Sequence, residues 1–440
     1  MKPKKITRIL YGLPALPLSV LFLPAIMILP EYYAYDLGMG LSLAGGVFLV
    51  ARLIDMMSDP IVGLLSDKYP FWGRRRTGWI LAGSLLTVVV TWLVFVPYTP
   101  MVGPTYLFIT IVLLYIGWTM VQVPLYALGA EISPDYHERT GVMAAREAGL
   151  LLGGVVALSL YALGENDRIS MIYIALFITA TLPLFSFMLF RRDPVQRKKK
   201  QYEELSFKAG WTALKKNKPL RQTVMAYLTN GLANGIPATT FILFIEQGLQ
   251  RPDLKGVLLL GYFLSGLIFL PLWVKLSKRF GKAPVWRWAM LWTVLVFSCV
   301  LFVSPGDVWL FSAIVILSGM TVGADLALPS SIQADVIDID RLETGQERAG
   351  LFYAIWGVVT KFSMAIAVGI AFPVLAVMGC EPGSCSDLMP LKIVYGGMPV
   401  AIKLIAVMIL WKDPVTLEEH NEIRAKIEKM NKKDKSVEKV

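Results

Sequence analysis

Long apolar segments separated by short polar turns follow one another along almost the whole chain. Each is close to the roughly 20 residues that a helix needs to cross the hydrocarbon of a bilayer. The stretch after the basic N-terminus is too long for a signal peptide and lacks a small-residue cleavage site, so it counts as a span. The pattern predicts twelve membrane-spanning helices, at residues 9–35, 41–66, 78–97, 104–130, 141–163, 169–190, 220–246, 255–274, 284–303, 308–333, 351–378 and 391–411.

The longest polar segment inside the chain lies near its middle, with six predicted spans on each side. A weak internal repeat agrees with a division there, because the second and eighth spans are each followed by a short basic turn. The predicted parts are an N-terminal bundle at 1–192, a basic linker at 193–219, a C-terminal bundle at 220–412 and a charged tail at 413–440. The tail is left open between a short helix and a disordered segment. We predict an all-α membrane protein of two pseudo-symmetric six-helix bundles, with its binding site near the midplane between them.

Composition and charge support a membrane protein and give its orientation. Apolar residues make up 55% of the chain and charged residues only 17%, which excludes an ordinary soluble protein. Lys and Arg are concentrated at both ends and in alternate loops, so the positive-inside rule predicts cytoplasmic termini. The net charge of +11 is explained by contact with anionic lipid and predicts no nucleic-acid partner.

Two carboxylates and a guanidinium interrupt the second predicted span. Each ionised group near a bilayer centre costs about 2.5–3.5 kcal/mol on insertion scales, so such groups rarely persist without a task. Asp55 and Asp59 are four residues apart and lie on one helical face, and Arg52 precedes them. We expect Arg52 to pair with Asp55, which leaves Asp59 as the better site for Na⁺ or a proton. The alternative is a structural knot of salt bridges that holds helices together.

The residues at 51–60 and 334–348 resemble two segments of the glycoside–pentoside–hexuronide:cation symporters, the melibiose permease family of the major facilitator superfamily. The resemblance extends over both halves of the chain. It implies the twelve-helix major facilitator fold and secondary active symport of a solute with Na⁺ or H⁺ by alternating access. It implies no enzymatic activity, no cofactor and no metal other than the transported Na⁺. The expected setting is the inner membrane, with a small solute and the lipid bilayer as partners and a monomeric state.

The same resemblance assigns residues to a cation site and to a substrate site. The cation site would consist of Asp55, Asp59, Thr119 and Gln122. The substrate site would consist of Ser19, Gln122, Tyr126, Arg146 and Lys361. Ser19 and Gln122 stand where the family carries carboxylates that bind sugar hydroxyls. Since those carboxylates are missing, we expect a glycoside-like or other small organic solute that differs from melibiose.

Three other functions are considered. The segment 120–128 also resembles the sodium-dependent lysophosphatidylcholine symporters, and an anionic amphiphile would pair with Arg146 or Lys361. A proton-driven exporter of drugs or lipids is less favoured, because 149–154 lacks the proline that is typical of antiporters. A membrane sensor or scaffold that transports nothing would not need the charges in the spans.

Charged residues are expected to form a gating and charge network, part of it at the cytoplasmic ends of the helices. This network comprises Arg52, Asp67, Arg74, Arg75, Asp335, Asp338 and Arg348. Asp325 and Lys403 lie well inside apolar runs, and each either takes part in transport or pairs across a helix interface. Cys380 and Cys385 flank a Pro-Gly turn, and whether they form an external disulfide is left open.

Overall fold

The computed structural model describes residues 5–98, 102–133, 135–164, 166–194, 217–344, 348–381, 384–385 and 388–437. Most of the predicted linker, at 195–216, lies outside the described residues. The N-terminal helices are α1 Lys5–Gly12, α2 Ala15–Met27, α3 Leu29–Glu31, α4 Leu41–Lys68, α5 Thr77–Phe95, α6 Pro104–Ile132, α7 Tyr136–Ala162 and α8 Asp167–Arg191. The later helices are α9 Lys218–Leu243, α10 Lys255–Phe280, α11 Lys282–Ser298, α12 Val308–Gly319, α13 Val322–Thr344, α14 Ala349–Val377, α15 Met389–Lys392, α16 Met398–Ile409 and α17 Leu417–Val437.

Shorter helical turns extend several of these elements. The turns Tyr32–Asp36, Phe244–Leu249 and Ile393–Gly397 are π-helical, and Pro252–Leu254 and Cys299–Phe302 are 3₁₀-helical. Two short strands, β1 Cys380–Glu381 and β2 Ser384–Cys385, pair antiparallel, with the backbone of Cys380 opposite that of Cys385. The structure describes the backbone of these two cysteines but not their side chains, so whether they form a disulfide stays open.

The helices agree with the predicted spans. Among the described residues, eleven helical segments are long and apolar enough to cross a membrane. The remaining predicted span is α4, a helix of 28 residues that carries the charged residues Arg52, Asp55 and Asp59. The first span is divided between α1 and α2 at Pro14, which has no N–H to donate to the helical ladder.

The chain separates into two compact units. The first comprises Met1–Trp211 together with Gln346–Val358, and the second comprises Thr212–Gly345 together with Val359–Val440. The start of α14 thus packs with the N-terminal unit, although the sequence places it among the C-terminal spans. The chain beyond 358 continues α14 in the second unit.

Close backbone contact positions α7 in the first unit. A β-carbon at Gly149 would collide with the carbonyl oxygen of Gly12, and one at Gly153 would collide with that of Leu16. Only glycine allows α7 to lie this near to α1 and α2. This contact holds Arg146, one turn before Gly149, inside the unit.

The outer surfaces of both units are apolar. Met57, Leu295 and Met408 expose 69%, 65% and 63% of their surface, although they belong to long apolar helices. Exposing such apolar side chains to water would be unfavourable, whereas they are expected on a surface that faces lipid.

Candidate functional site

A buried cluster of oxygen atoms lies between α4 and α6 in the N-terminal unit. Asp55 and Asp59 are only 2% and 3% exposed, and both face α6. The hydroxyl of Thr119 donates to Oδ1 of Asp59 at 2.9 Å and lies 3.5 Å from Oδ1 of Asp55. The structure therefore brings together three of the four residues that the sequence assigns to the cation site.

Ser58 adds an oxygen that the sequence analysis does not include. Its hydroxyl donates to the backbone carbonyl of Asp55 at 2.8 Å and lies 3.3 Å from the hydroxyl oxygen of Thr119. Ser58 follows Asp55 by three residues, so the spacing alone places it on the same helical face. Carboxylate and hydroxyl oxygens are the ligands that hard cations prefer.

Arg52 gives this cluster its net charge. Its guanidinium donates to Oδ2 of Asp55 at 3.2 Å, as the sequence predicts, and lies 5.6 Å from the ring centre of Tyr115. When all three are ionised, the two carboxylates and this guanidinium carry one negative charge together. One monovalent cation or one proton would balance the charge of these three groups.

Gln122 and Tyr126 continue the same face of α6 from Thr119. Their spacing of three and four residues places all three side chains on one side of the helix. The indole of Trp118 donates to the side-chain carbonyl of Gln122. Gln122 therefore lies along α6 between the cation cluster and an aromatic group one turn further on, and its recorded hydrogen bond is to Trp118.

In that aromatic group, the guanidinium of Arg146 lies over the ring of Tyr126. The guanidinium carbon of Arg146 lies 3.3 Å from the ring centre of Tyr126, and Arg146 also forms an ion pair with Glu147. On the other side, Tyr126 stacks on Tyr353 of α14, with ring centres 5.4 Å apart and planes inclined by 13°. Tyr353, which is not among the predicted site residues, thus lies directly against a predicted substrate residue.

The two remaining predicted substrate residues lie elsewhere. Ser19 is buried on α2, and its β-carbon would collide with a β-carbon at Gly153 of α7. Lys361 is half-buried on α14 in the C-terminal unit.

Two of the predicted gating residues of the first unit, Asp67 and Arg75, lie together, whereas Arg52 pairs with Asp55. The carboxylate of Asp67 accepts from the backbone N–H groups of Gly350 and Leu351, at 3.0 and 2.9 Å, so it caps the start of α14. Asp67 also pairs with Arg75 at 3.2 Å and with Arg76. Arg74 packs separately over Phe190, and Arg348 is buried just before α14.

The predicted gating residues of the second unit lie beside the C-terminal tail, which is helical as α17. Asp335 forms an ion pair with Lys282, and Asp338 forms an ion pair with Arg424 at 3.2 Å. His420, which is 1% exposed, lies 3.6 Å from a carboxylate oxygen of each aspartate. These contacts dock the tail onto α13.

Asp325 and Lys403 pair with each other across a helix interface of the second unit. The ammonium group of Lys403 lies 2.9 Å from Oδ2 of Asp325 and donates to Asn230 at 2.8 Å. Asp325 also accepts from the indole of Trp286 at 2.9 Å and from Asn234 at 3.2 Å. Of the two roles considered for these residues, pairing is the one that the structure displays.

Residues 10–416 match the family described as MFS/sugar transport protein. The chain belongs to this family. Curated relatives include the putative glycoside/cation symporter YagG of Escherichia coli, 24% identical over 89% of this chain and 88% of the relative. The sodium-dependent lysophosphatidylcholine symporter 1-A of Danio rerio is 26% identical, over 85% of this chain and 79% of the relative. The uncharacterized symporter YjmB of Bacillus subtilis is 24% identical, over 89% and 88%.

Solved structures of similar fold agree with this membership. The major facilitator transporter FucP of Escherichia coli aligns with a TM-score of 0.68 at 13% identity, over 93% of this chain and 99% of FucP. A bacterial homologue of the iron transporter ferroportin aligns with a TM-score of 0.66 at 15% identity, over 92% and 96%. The major facilitator fold and the cation-symporter family that the sequence predicts are confirmed.

Proposed function

We propose that this member of the MFS/sugar transport family is a secondary active transporter that moves a solute together with Na⁺ or H⁺ by alternating access. The observation that carries the proposal is the buried oxygen cluster of Asp55, Asp59 and Thr119. Ser58 supplies a further hydroxyl. A purely structural contact between α4 and α6 would not require two buried carboxylates.

The charge of the cluster explains how transport is coupled. When no cation is bound, reorientation has to carry the carboxylates of Asp55 and Asp59 through a low-dielectric region, which is unfavourable for ionised groups. A bound cation would reduce this cost. Cation and solute are carried together if the cation-bound state is also the one that binds the solute more tightly.

We propose that the aromatic group around Tyr126 binds a neutral, hydroxylated solute such as a glycoside. The charge of Arg146 is already compensated by Glu147, so the group does not require an anionic ligand. Nε of Arg146 and Oε2 of Glu147 are buried and have no hydrogen-bond partner among the described residues. They provide a buried donor and a buried acceptor on adjacent residues, and hydroxyl groups can satisfy both kinds of atom.

A second candidate solute is a lysophospholipid or another anionic amphiphile. It is favoured by relatives whose names record such cargo, the lysophosphatidylcholine symporter of Danio rerio and the sphingosine-1-phosphate transporter MFSD2B of Mus musculus, which is 24% identical. In this case the phosphate would pair with Lys361, which is half-buried, and the stacked tyrosines would contact the acyl chain.

We further propose an inner-membrane protein with both termini in the cytoplasm, on the basis of its basic loops and ends. It would act as a monomer in the bilayer, without a cofactor and without a nucleic-acid partner. The coupling ion is the only ion that the proposal requires.

A thermal-shift screen on the purified protein tests the proposal. Glycosides, small organic acids and lysophospholipids are added with NaCl or with choline chloride, and at several pH values. We expect one class to raise the midpoint of unfolding in a cation-dependent manner. The Asp59→Asn variant should lose this dependence. Stabilisation of equal size in the variant, or without any cation dependence in the wild type, would refute the cation assignment.

Flux into proteoliposomes then tests the direction of coupling. An inward cation gradient should drive uptake of the compound found in the screen. Uptake that is driven only by an outward cation gradient would show that the protein exchanges the solute for the cation and is not a symporter.

A further inference from the structure

The start of α14 presents one helical face to the rest of the N-terminal unit. Gly350, Tyr353, Ala354 and Gly357 are separated by three, four and seven residues, the spacing of a single face. Three of the four are glycine or alanine. Each of the four lies against α4 or against Tyr126 of α6.

Small residues bring the backbones of α4 and α14 together along this face. A β-carbon at Gly63 would lie 2.7 Å from the β-carbon of Ala354 and 2.7 Å from the carbonyl oxygen of Gly350. One at Gly350 would lie 2.6 Å from the carbonyl oxygen of Gly63. Nonbonded atoms do not approach this closely, so both positions require glycine at the observed separation.

Gly357 lies against the candidate cation site itself. A β-carbon at this position would lie 2.5 Å from Oδ2 of Asp59 and 3.2 Å from its carboxyl carbon. The carboxylate of Asp59 therefore rests on the backbone of α14. Its other oxygen, Oδ1, accepts from Thr119.

The same helical face reaches the aromatic group one turn earlier. Tyr353 precedes Gly357 by four residues and stacks on Tyr126, which in turn lies over Arg146. Two turns of α14 thus touch both the cation cluster and the proposed substrate group.

We propose that Gly357 is a positioning residue for the cation site and that the face from Gly350 to Gly357 couples cation occupancy to the aromatic group. The inference rests on the proposed function, because it presumes that Asp59 binds the cation. A bound cation fixes the orientation of the Asp59 carboxylate. At the observed distance between α14 and α4, the carboxylate can adopt only orientations in which Oδ2 does not overlap the backbone of Gly357. Occupancy of Asp59 and the position of Tyr353 are consequently linked.

The Gly357→Ala variant tests this positioning role. The midpoint of thermal unfolding of the purified protein is titrated with the cation to which the wild type responds, either Na⁺ in a choline background or protons. The added methyl group should displace the carboxylate and raise the half-saturating cation concentration by about 10-fold or more, the usual size of an effect on the residues that orient a ligand.

Two matched controls separate positioning from general damage. Gly369→Ala alters the same helix at a position with no atom within 4 Å of the new β-carbon, and it should leave the half-saturating concentration unchanged. Gly235→Ala creates a comparable collision, 2.8 Å from the β-carbon of Ala367, away from the cation cluster. It should lower the midpoint at every cation concentration without shifting the half-saturating one.

A double-mutant cycle provides a readout that does not depend on cation binding. Gly357→Ala should lower the midpoint of unfolding in the wild type. In the Asp59→Ala background the obstructing oxygen is gone, so the same substitution should leave the midpoint unchanged or raise it, since alanine favours a helix over glycine.

The outcomes distinguish the inference from the proposed function. A wild type without any response to Na⁺ or protons would overturn the proposed function. A wild type that responds, with Gly357→Ala behaving like Gly369→Ala, would overturn the positioning role alone. An equal loss of stability from Gly357→Ala in both backgrounds of the cycle would do the same.

Discussion

The hydroxyl of Thr119 lies 2.9 Å from Oδ1 of Asp59 and joins α6 to α4 inside the N-terminal unit. The hydroxyl can donate one hydrogen bond and still accept another or bind a cation. Thr119 shares its face of α6 with Gln122 and Tyr126. One helix thereby connects the candidate cation cluster to the aromatic group.

Replacing Thr119 by valine should weaken cation binding. Valine keeps the shape of threonine but removes the hydroxyl, and the loss of one hydrogen bond to a charged group costs about 1.5–3 kcal/mol. This corresponds to a rise of about 10- to 100-fold in the half-saturating cation concentration, measured by thermal unfolding. Thr119→Ser should retain most of the affinity. Thr110→Val is the matched control, because this buried threonine of α6 donates only to backbone carbonyls. An equal effect from Thr110→Val would contradict the assignment.

Ser58→Ala should also raise the half-saturating cation concentration, by less than Thr119→Val. Ser58 contacts the cluster through the hydroxyl of Thr119 and not through a carboxylate oxygen. Ser84→Ala removes a buried hydroxyl that donates to the carbonyl of Leu81 in α5, so it serves as the control. If Ser58→Ala left cation binding unaltered, Ser58 would be a helix-packing residue only.

Tyr353→Phe should preserve solute binding, and Tyr353→Leu should weaken it. Phenylalanine keeps the ring that stacks on Tyr126, whereas leucine removes a contact between aromatic rings worth about 0.5–1.5 kcal/mol. The measurement is the midpoint shift produced by the compound that stabilises the wild type in the screen. Binding that survives Tyr353→Leu at full strength would show that the stack does not support the solute group.

Breaking the Asp325–Lys403 pair should destabilise the protein strongly. Lys403→Met leaves a buried carboxylate without its cation, and removing one partner of a buried ion pair costs about 3–5 kcal/mol. The double variant Asp325→Asn with Lys403→Met should recover much of the loss in thermal unfolding. Arg251→Met, which breaks the exposed pair with Asp253, should leave the midpoint unaltered. A double variant no more stable than Lys403→Met would show that the charge left behind is not the cause.

The sequence predicts the spans and much of the cation cluster, because charges inside an apolar run are conspicuous without any structure. Asp55 and Asp59 are separated by one turn, so their common face also follows from spacing alone. The partner of Arg52 was predicted for the same reason and is observed. These are local relationships, and local spacing determines them.

Contacts between distant segments could not be predicted in this way. Tyr126 meets Tyr353 and Asp59 meets Gly357 only because α14 packs against α4 and α6. Glycine has no side chain, so the sequence gives no chemical reason to connect Gly357 with a carboxylate. The same holds for Asp335, whose contact with His420 depends on how the tail folds back onto α13.

The docked tail also determines where a reporter or affinity tag can be attached. His420 and Ile427 of α17 are 1% and 3% exposed, so this part of the tail belongs to the folded second unit. Cleavage before Leu417 would remove Arg424 from Asp338 and uncover the Lys282–Asp335 pair. A fluorescent protein fused after Val440 should therefore be tolerated, whereas one fused directly after α16 should lower expression and monodispersity in detergent.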